Sequence, residues 1–128
     1  MKNDAGSNFT IADGLDAVSR GADTYYTDPE IDHALSPTAQ FHISCGTFAT
    51  SLVATLQHSD DNGVADSYID EVAGYDNTVS VTLTASGEGD IYVPNPRERY
   101  SRVKLVLGGI CVASVTNISG PLRSVDQG

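Results

Sequence analysis

Tryptophan is absent from this chain, methionine occurs once, and cysteine occurs only at Cys45 and Cys111. Without Trp the chain lacks the core residue that an immunoglobulin domain packs against its paired cysteines, and the side chain that sugar-binding faces favour. No C-x-x-C pair occurs, so neither a zinc site nor a dithiol redox motif is indicated. Each cysteine sits inside an apolar, strand-like run, where a thiol acts as a small buried hydrophobe. A disulfide between them stays open, though a reducing cytosol disfavours it. No apolar run approaches the roughly 20 residues a spanning helix needs. The opening segment, Met1 to Asn8, has no apolar h-region, from which we expect a cytosolic translation product with no secretory signal. Without secretion, the sequons at Asn8-Phe9-Thr10 and Asn117-Ile118-Ser119 carry no weight. Bases are scarce too: 7 Lys and Arg face 17 Asp and Glu, a formal charge of −10. Such a field repels nucleic acid and anionic membranes, and neither is expected as a partner.

The composition is otherwise that of a globular chain. Its 128 residues suit one domain, and 40% apolar with 19% charged residues supports a real core. The charge is unevenly spread. Residues 1–96 hold two bases, Lys2 and Arg20, against fifteen acids; residues 97–128 hold Arg97, Arg99, Arg102, Lys104 and Arg123 against Glu98 and Asp126. An acidic body with one basic strip suggests docking to an acidic protein surface. The competing reading is internal pairing with acids such as Glu88, Asp90 or Glu98.

Periodicity predicts strands. Residues 1–23 are rich in Gly, Asp, Ala, Ser and Asn and read as an extended N-terminal arm outside the fold, with a weak helical turn over 11–20 that Gly14 disfavours. Residues 24–128 read as one domain. Thr24–Thr27 is a short strand candidate, and Gln40–Ala49 is β-like. Leu52, Ala54 and Leu56 alternate with Val53, Thr55 and Gln57, and Asn62-Gly63 then marks a turn. Tyr68–Val72 is a short strand or a helical turn. Thr78–Ala85 alternates strictly, with Val79, Val81, Leu83 and Ala85 inward; 86–90 reads as a turn, and Ile91-Tyr92-Val93 as a short strand. In Tyr100–Leu107, Val103, Leu105 and Leu107 oppose Tyr100, Arg102 and Lys104, and Gly108-Gly109 reads as a hairpin to a partner strand over 110–116. Seven or eight short strands about ten residues apart indicate an all-β, antiparallel two-sheet β-sandwich, jelly-roll rather than immunoglobulin-like because Trp is missing.

Chemistry-bearing patterns are weak. Asp28-Pro29-Glu30-Ile31-Asp32-His33 gathers hard-metal ligand types at a spacing that fits no ligand motif. Asp60-Asp61-Asn62-Gly63 begins like a calcium loop without its alternate acids or distant Glu. Ser86-Gly87-Glu88-Gly89 lacks the Lys and helix of a phosphate loop. His42 and Cys45 fall on opposite faces of a strand and cannot form a nucleophile pair. No catalytic residue, metal or cofactor is expected, and the chain does not read as an enzyme.

Three segments carry a resemblance. Leu52-Val53-Ala54-Thr55-Leu56-Gln57-His58-Ser59-Asp60-Asp61 is a strand running into a Gln-x-Ser-Asp turn. Tyr68-Ile69-Asp70 is an aromatic-x-Asp step. Arg99-Tyr100-Ser101-Arg102-Val103-Lys104-Leu105 opens a late strand before Gly108-Gly109. This layout, over roughly residues 40–118, resembles the jelly-roll cement (decoration) proteins of tailed bacteriophages, of the kind found in Bordetella phage. The resemblance implies a structural virion protein, made in the host cytoplasm, that binds and stabilises the outer surface of an icosahedral capsid. Its partners would be the major capsid protein and copies of itself, as dimer or trimer. Arg97, Arg99, Tyr100, Arg102 and Lys104 are the candidate partner-binding residues. The alternatives are a head–tail connector or tail component, and a carbohydrate-binding jelly-roll using Tyr25, Tyr26, Tyr92 and Tyr100 as stacking platforms.

Overall fold

The computed structural model describes residues 10–46 and 51–120. Among these there is no helix; ten strands form two antiparallel sheets. The four-stranded sheet runs β1 (Thr10–Arg20), β10 (Cys111–Ser119), β4 (Ala39–Cys45), β8 (Gly87–Val93). The six-stranded sheet is built on β9 (Tyr100–Leu107) and β5 (Leu52–Ser59), paired over their full length. Along its free side β9 carries two short strands, β2 (Asp23–Tyr26) and β3 (Ile31–Asp32). Along its own free side β5 carries β6 (Ile69–Asp70) and β7 (Ser80–Leu83).

Side-chain alternation makes the core. One row comes from Phe41, Ile43, Ile91, Val93, Ala113 and Val115 of the four-stranded sheet, the facing row from Leu52, Ala54, Leu56, Val103, Leu105 and Leu107. Most are wholly shielded from water, and each fully buried Leu, Ile, Val or Phe is worth about 1.5–3 kcal/mol. The expected β-sandwich is therefore the observed architecture, with Val103, Leu105 and Leu107 in its core as the alternation predicts.

Four expectations are corrected. The arm over 1–23 is part of the sandwich from residue 10 onward, because Thr10–Arg20 pairs with β10 along its length. Two register shifts, between Asp13 and Leu15 and between Leu15 and Val18, break the period-two pattern that would have betrayed it. Gly14 serves the first: a Cβ there would lie 2.3 Å from Asn117 Oδ1. Residues 1–9 lie outside the described residues. The turn over 86–90 is instead the first half of β8; Gly89 leaves room for the Val81 side chain, whose Cγ1 would sit 2.5 Å from a Cβ there. Gly108-Gly109 is not a hairpin, since β9 and β10 belong to different sheets. Neither glycine takes the positive φ that a two-residue hairpin turn requires. The predicted strand 78–85 shrinks to Ser80–Leu83; Val81 and Leu83 pack at the core margin, Val79 precedes the strand and Ala85 is exposed.

Asn62 and Gly63 do take left-handed backbone, φ 61° and 80°, as an Asn-Gly turn demands. The loop around them satisfies itself. The Asp61 carboxylate accepts the N–H groups of Val64, Ala65 and Asp66, and Ser59 Oγ accepts from Gly63 and donates to the Asp66 carbonyl. Those N–H groups, Ala65 and Asp66 foremost, hold the Asp61 carboxyl below its usual range.

Candidate docking face

Of the three segments that carry the resemblance, Leu52–Asp61 and Tyr68–Asp70 are joined by one loop, and the distant Arg99–Leu105 comes to lie beside Leu52–Asp61 in the same sheet. Arg102 on β9 pairs in register with Gln57 on β5, and Gln57 with Asp70 on β6. Alternation turns Tyr100, Arg102, Lys104 and Val106 outward together, as expected of one face.

The cations on and before this strand are held by the chain itself. Arg97 donates to Glu71 Oε1 at 2.6 Å and stacks 3.9 Å above the Tyr75 ring. Arg99 makes a two-pronged pair with Asp32, Nε and Nη2 each 2.9 Å from an oxygen, and lies over Tyr100. Lys104 reaches Asp70 at 3.2 Å. Arg102 donates from Nε to the neutral Gln57 Oε1 at 2.8 Å, with its guanidinium 4.1 Å from the Tyr26 ring and 4.0 Å from the Tyr68 ring. Gln57 in turn donates to Asp70. The face is a lattice of arginine, tyrosine and amide groups rather than a set of loose chains.

The internal carboxylates are Glu71, Asp32 and Asp70, not Glu88, Asp90 or Glu98. Arg99's hydrogen bond foremost holds Asp32 below its usual range; Gln57, then Lys104, does the same for Asp70. Burial pushes the Glu71 carboxyl up, but hydrogen bonds from Asn77, Arg97 and the Val72 N–H outweigh it and leave it lowered. Glu88 and Asp90 lie on the opposite sheet and grip His42 at 3.0 and 2.8 Å, which raises the imidazole, the Asp90 hydrogen bond leading. Glu98 faces buried His58, 3.1 Å from its Nδ1, and His58 Nε2 is 3.6 Å from Glu71. The alternation of Leu52, Ala54 and Leu56 extends inward to His58 and is the signal for it; Glu71 shows no comparable signal.

The metal-type cluster at 28–33 is taken up structurally. Asp32 serves Arg99, and His33 bonds through Nδ1 to the Ser36 carbonyl and through Nε2 to Ser101 Oγ. Asp60, Asp66 and Glu98 each bring a carboxylate oxygen within 4.8 Å of the others, on partly exposed loops, with Asp66 already accepting the Asp60 N–H. His42 points outward and Cys45 inward, as their parity requires; Cys45 Sγ lies 2.7 Å from Cys111 Sγ. Burial first, then the hydrogen bond with Cys111, pushes the Cys45 thiol up to about 12. No helix among the described residues is long and apolar enough to cross a membrane.

Beside Arg102 lies an open polar pocket of about 350 Å³, lined by Asn62, Gly63, Ser67, Tyr68 and Arg102. A second, mostly apolar groove of about 280 Å³ runs past Gln40, Tyr92, Pro94 and Ile118 on the four-stranded sheet. No protein-family model matches the chain, and no curated protein matches it. Among solved structures it is similar to PirA, with 11% identity and a TM-score of 0.42 over 96% of this chain and 97% of that one.

Proposed function

We propose that this protein is a structural virion component, a decoration or cement protein that docks on the outer surface of an icosahedral phage capsid and stabilises it. The observation that carries the reading is the convergence of the three resemblance segments on one face of the six-stranded sheet, with Arg97, Arg99, Arg102 and Lys104 all held in place. Arg and Tyr are the side chains enriched at protein interfaces, and a face ordered before contact loses little entropy on binding. Repetition over a shell multiplies a modest contact through avidity. A chain that crosses between sheets at most of its connections supports the jelly-roll winding of that family.

The head–tail component shares these supports and differs in copy number. Of the four tyrosines the sugar-binding alternative would use, Tyr25, Tyr26 and Tyr100 each have an arginine over one ring face, which weighs against it, while Tyr92, 52% exposed beside the apolar groove, is the platform it keeps. The test is quantitative mass spectrometry of purified particles, followed by rebinding of the protein to shells stripped of it. A copy number comparable to the shell subunit, with rebinding that protects shells from heat, is expected. A copy number fitting a single ring moves the assignment to a connector. Absence from particles, or selective glycan-array binding, rejects the virion reading.

A further inference from the structure

Four cations occupy the stretch from residue 97 to 104, and three of them are neutralised by this chain's own carboxylates: Arg97 by Glu71, Arg99 by Asp32, Lys104 by Asp70. Arg102 is the exception: among the described residues it has no carboxylate partner. Its position is nevertheless fixed. Gln57 takes Nε, and the rings of Tyr26 and Tyr68 fix the guanidinium at about 4 Å. A guanidinium held through Nε keeps its two terminal nitrogens for a ligand, in the fork geometry that fits a carboxylate.

The adjoining pocket adds donors. Asn62 accepts the Tyr68 hydroxyl proton through Oδ1 at 2.7 Å, which leaves its amide N–H groups as the remaining polar function. Ser67 adds a hydroxyl to the lining. Burial, above all, pushes the Tyr68 phenol up to about 12, so it stays a protonated donor to Asn62. Val64, 86% exposed, lies on the loop that carries Asn62, Gly63 and Ser67. A free anion would leave Val64 in water; a protein surface would cover it beside the charged centre.

We propose that Arg102, clamped between Tyr26 and Tyr68 at the Asn62–Ser67 pocket, is the anchor that receives a glutamate or aspartate side chain of the protein on which this domain docks. The inference deepens the docking reading and rests on it for the identity of the partner. Self-paired neighbours sharpen the contact: with Arg97, Arg99 and Lys104 already neutralised, one acidic side chain at the right place is recognised rather than acidic surface in general.

Two measurements test it. In the first, ¹⁵N-labelled protein is titrated with N-acetylglutamate α-amide, against sodium chloride at matched ionic strength and against glucuronate. A saturable shift confined to the Arg102 Nε–H and the amides of Gly63, Ser67 and Tyr68 is expected. It should vanish in Arg102→Gln, weaken in Arg102→Lys and persist in Lys104→Gln, each checked for an unchanged amide spectrum elsewhere. No saturable shift, or the same shift in Arg102→Gln, overturns the anchor. A response to glucuronate alone replaces the protein carboxylate with an acidic sugar and overturns it as stated. In the second, stripped shells are saturated with wild type, Arg102→Gln and Lys104→Gln; about a tenfold or greater loss for Arg102→Gln, roughly 1.4 kcal/mol, is expected. If wild type binds and Arg102→Gln binds equally, the anchor fails and docking stands. If wild type does not bind shells while the titration succeeds, the capsid reading fails and carboxylate recognition stands.

Discussion

The outer faces of the two sheets are built by opposite means. On the six-stranded sheet, cations and tyrosines interlock across β9, β5 and β6, and the acids that hold them are lowered in pKa. On the four-stranded sheet the outward side mixes hydroxyl and amide groups with Tyr92, Val112 and Ile118, and its charge cluster is one imidazole, His42, gripped by Glu88 and Asp90. On the first face the paired carboxyls of Asp32 and Asp70 are held below their usual range; on the second the His42 imidazole is held above its own.

The core sets the scale for any test of that contrast, since both faces stand on it. Leu105→Ala from the six-stranded sheet and Ile43→Ala from the four-stranded sheet should each cost about 2–5 kcal/mol in urea denaturation, as both side chains are fully buried. A cost under about 1 kcal/mol for Ile43→Ala alone would mean the four-stranded sheet is peripheral. Leu83→Ala, at the core margin, should cost about 1 kcal/mol.

Glu71 comes next. Its side chain is 1% exposed, and it accepts from Arg97, Asn77 and the Val72 N–H. Glu71→Ala leaves those donors short of a partner and should cost on the order of 2 kcal/mol. Its folded pKa lies below the ordinary 4.5, so its contribution is present above that value and is lost as pH falls through the lowered one. Glu71→Gln should therefore flatten the acid limb of the stability–pH curve; an unchanged limb would place the acid sensitivity elsewhere.

His42 has the opposite sign. Its folded value is raised above 6.5, so its contribution is full below that pH and fades as pH rises through the raised value. Thermal melts of wild type against His42→Gln should differ by a fraction of a kcal/mol in mild acid and converge in mild base. A difference that grows in base would contradict the ion-pair geometry. The smallest effect belongs to Lys104→Gln. Its partner Asp70 is half exposed, so stability should change by no more than about 0.5 kcal/mol, and a larger loss would mean the basic face is a folding element.

Legibility in the sequence followed regularity. β5 and β9 and the buried rows Leu52–Leu56 and Val103–Leu107 were readable because uninterrupted alternation has one interpretation. β1 was not, because its two register shifts break the alternation and only Leu15 packs against the core. The first half of β8 was masked by Gly87 and Gly89, turn-like in sequence, the second placed there for closeness to Val81. At the candidate face, the shared side of Tyr100, Arg102 and Lys104 followed from parity. Which carboxylates answer them did not, because Asp32, Asp70 and Glu71 come from three separate places in the chain and meet only through strand pairing.

The passage of the chain between sheets at most connections has a kinetic consequence. The four-stranded sheet takes its strands from both ends of the chain, with β1 beside β10, so it cannot close until nearly the whole sequence has been made. The order of assembly is then constrained: β5 and β6, joined within one sheet by a single loop, are the pair able to form early, and the β1–β10 seam is the last. Folding dominated by such distant pairings runs on the scale of about milliseconds to seconds. Opening that seam lifts the edge strand β1 from β10 and uncovers Leu15, the one β1 side chain packed against the core, while β10 stays paired with β4.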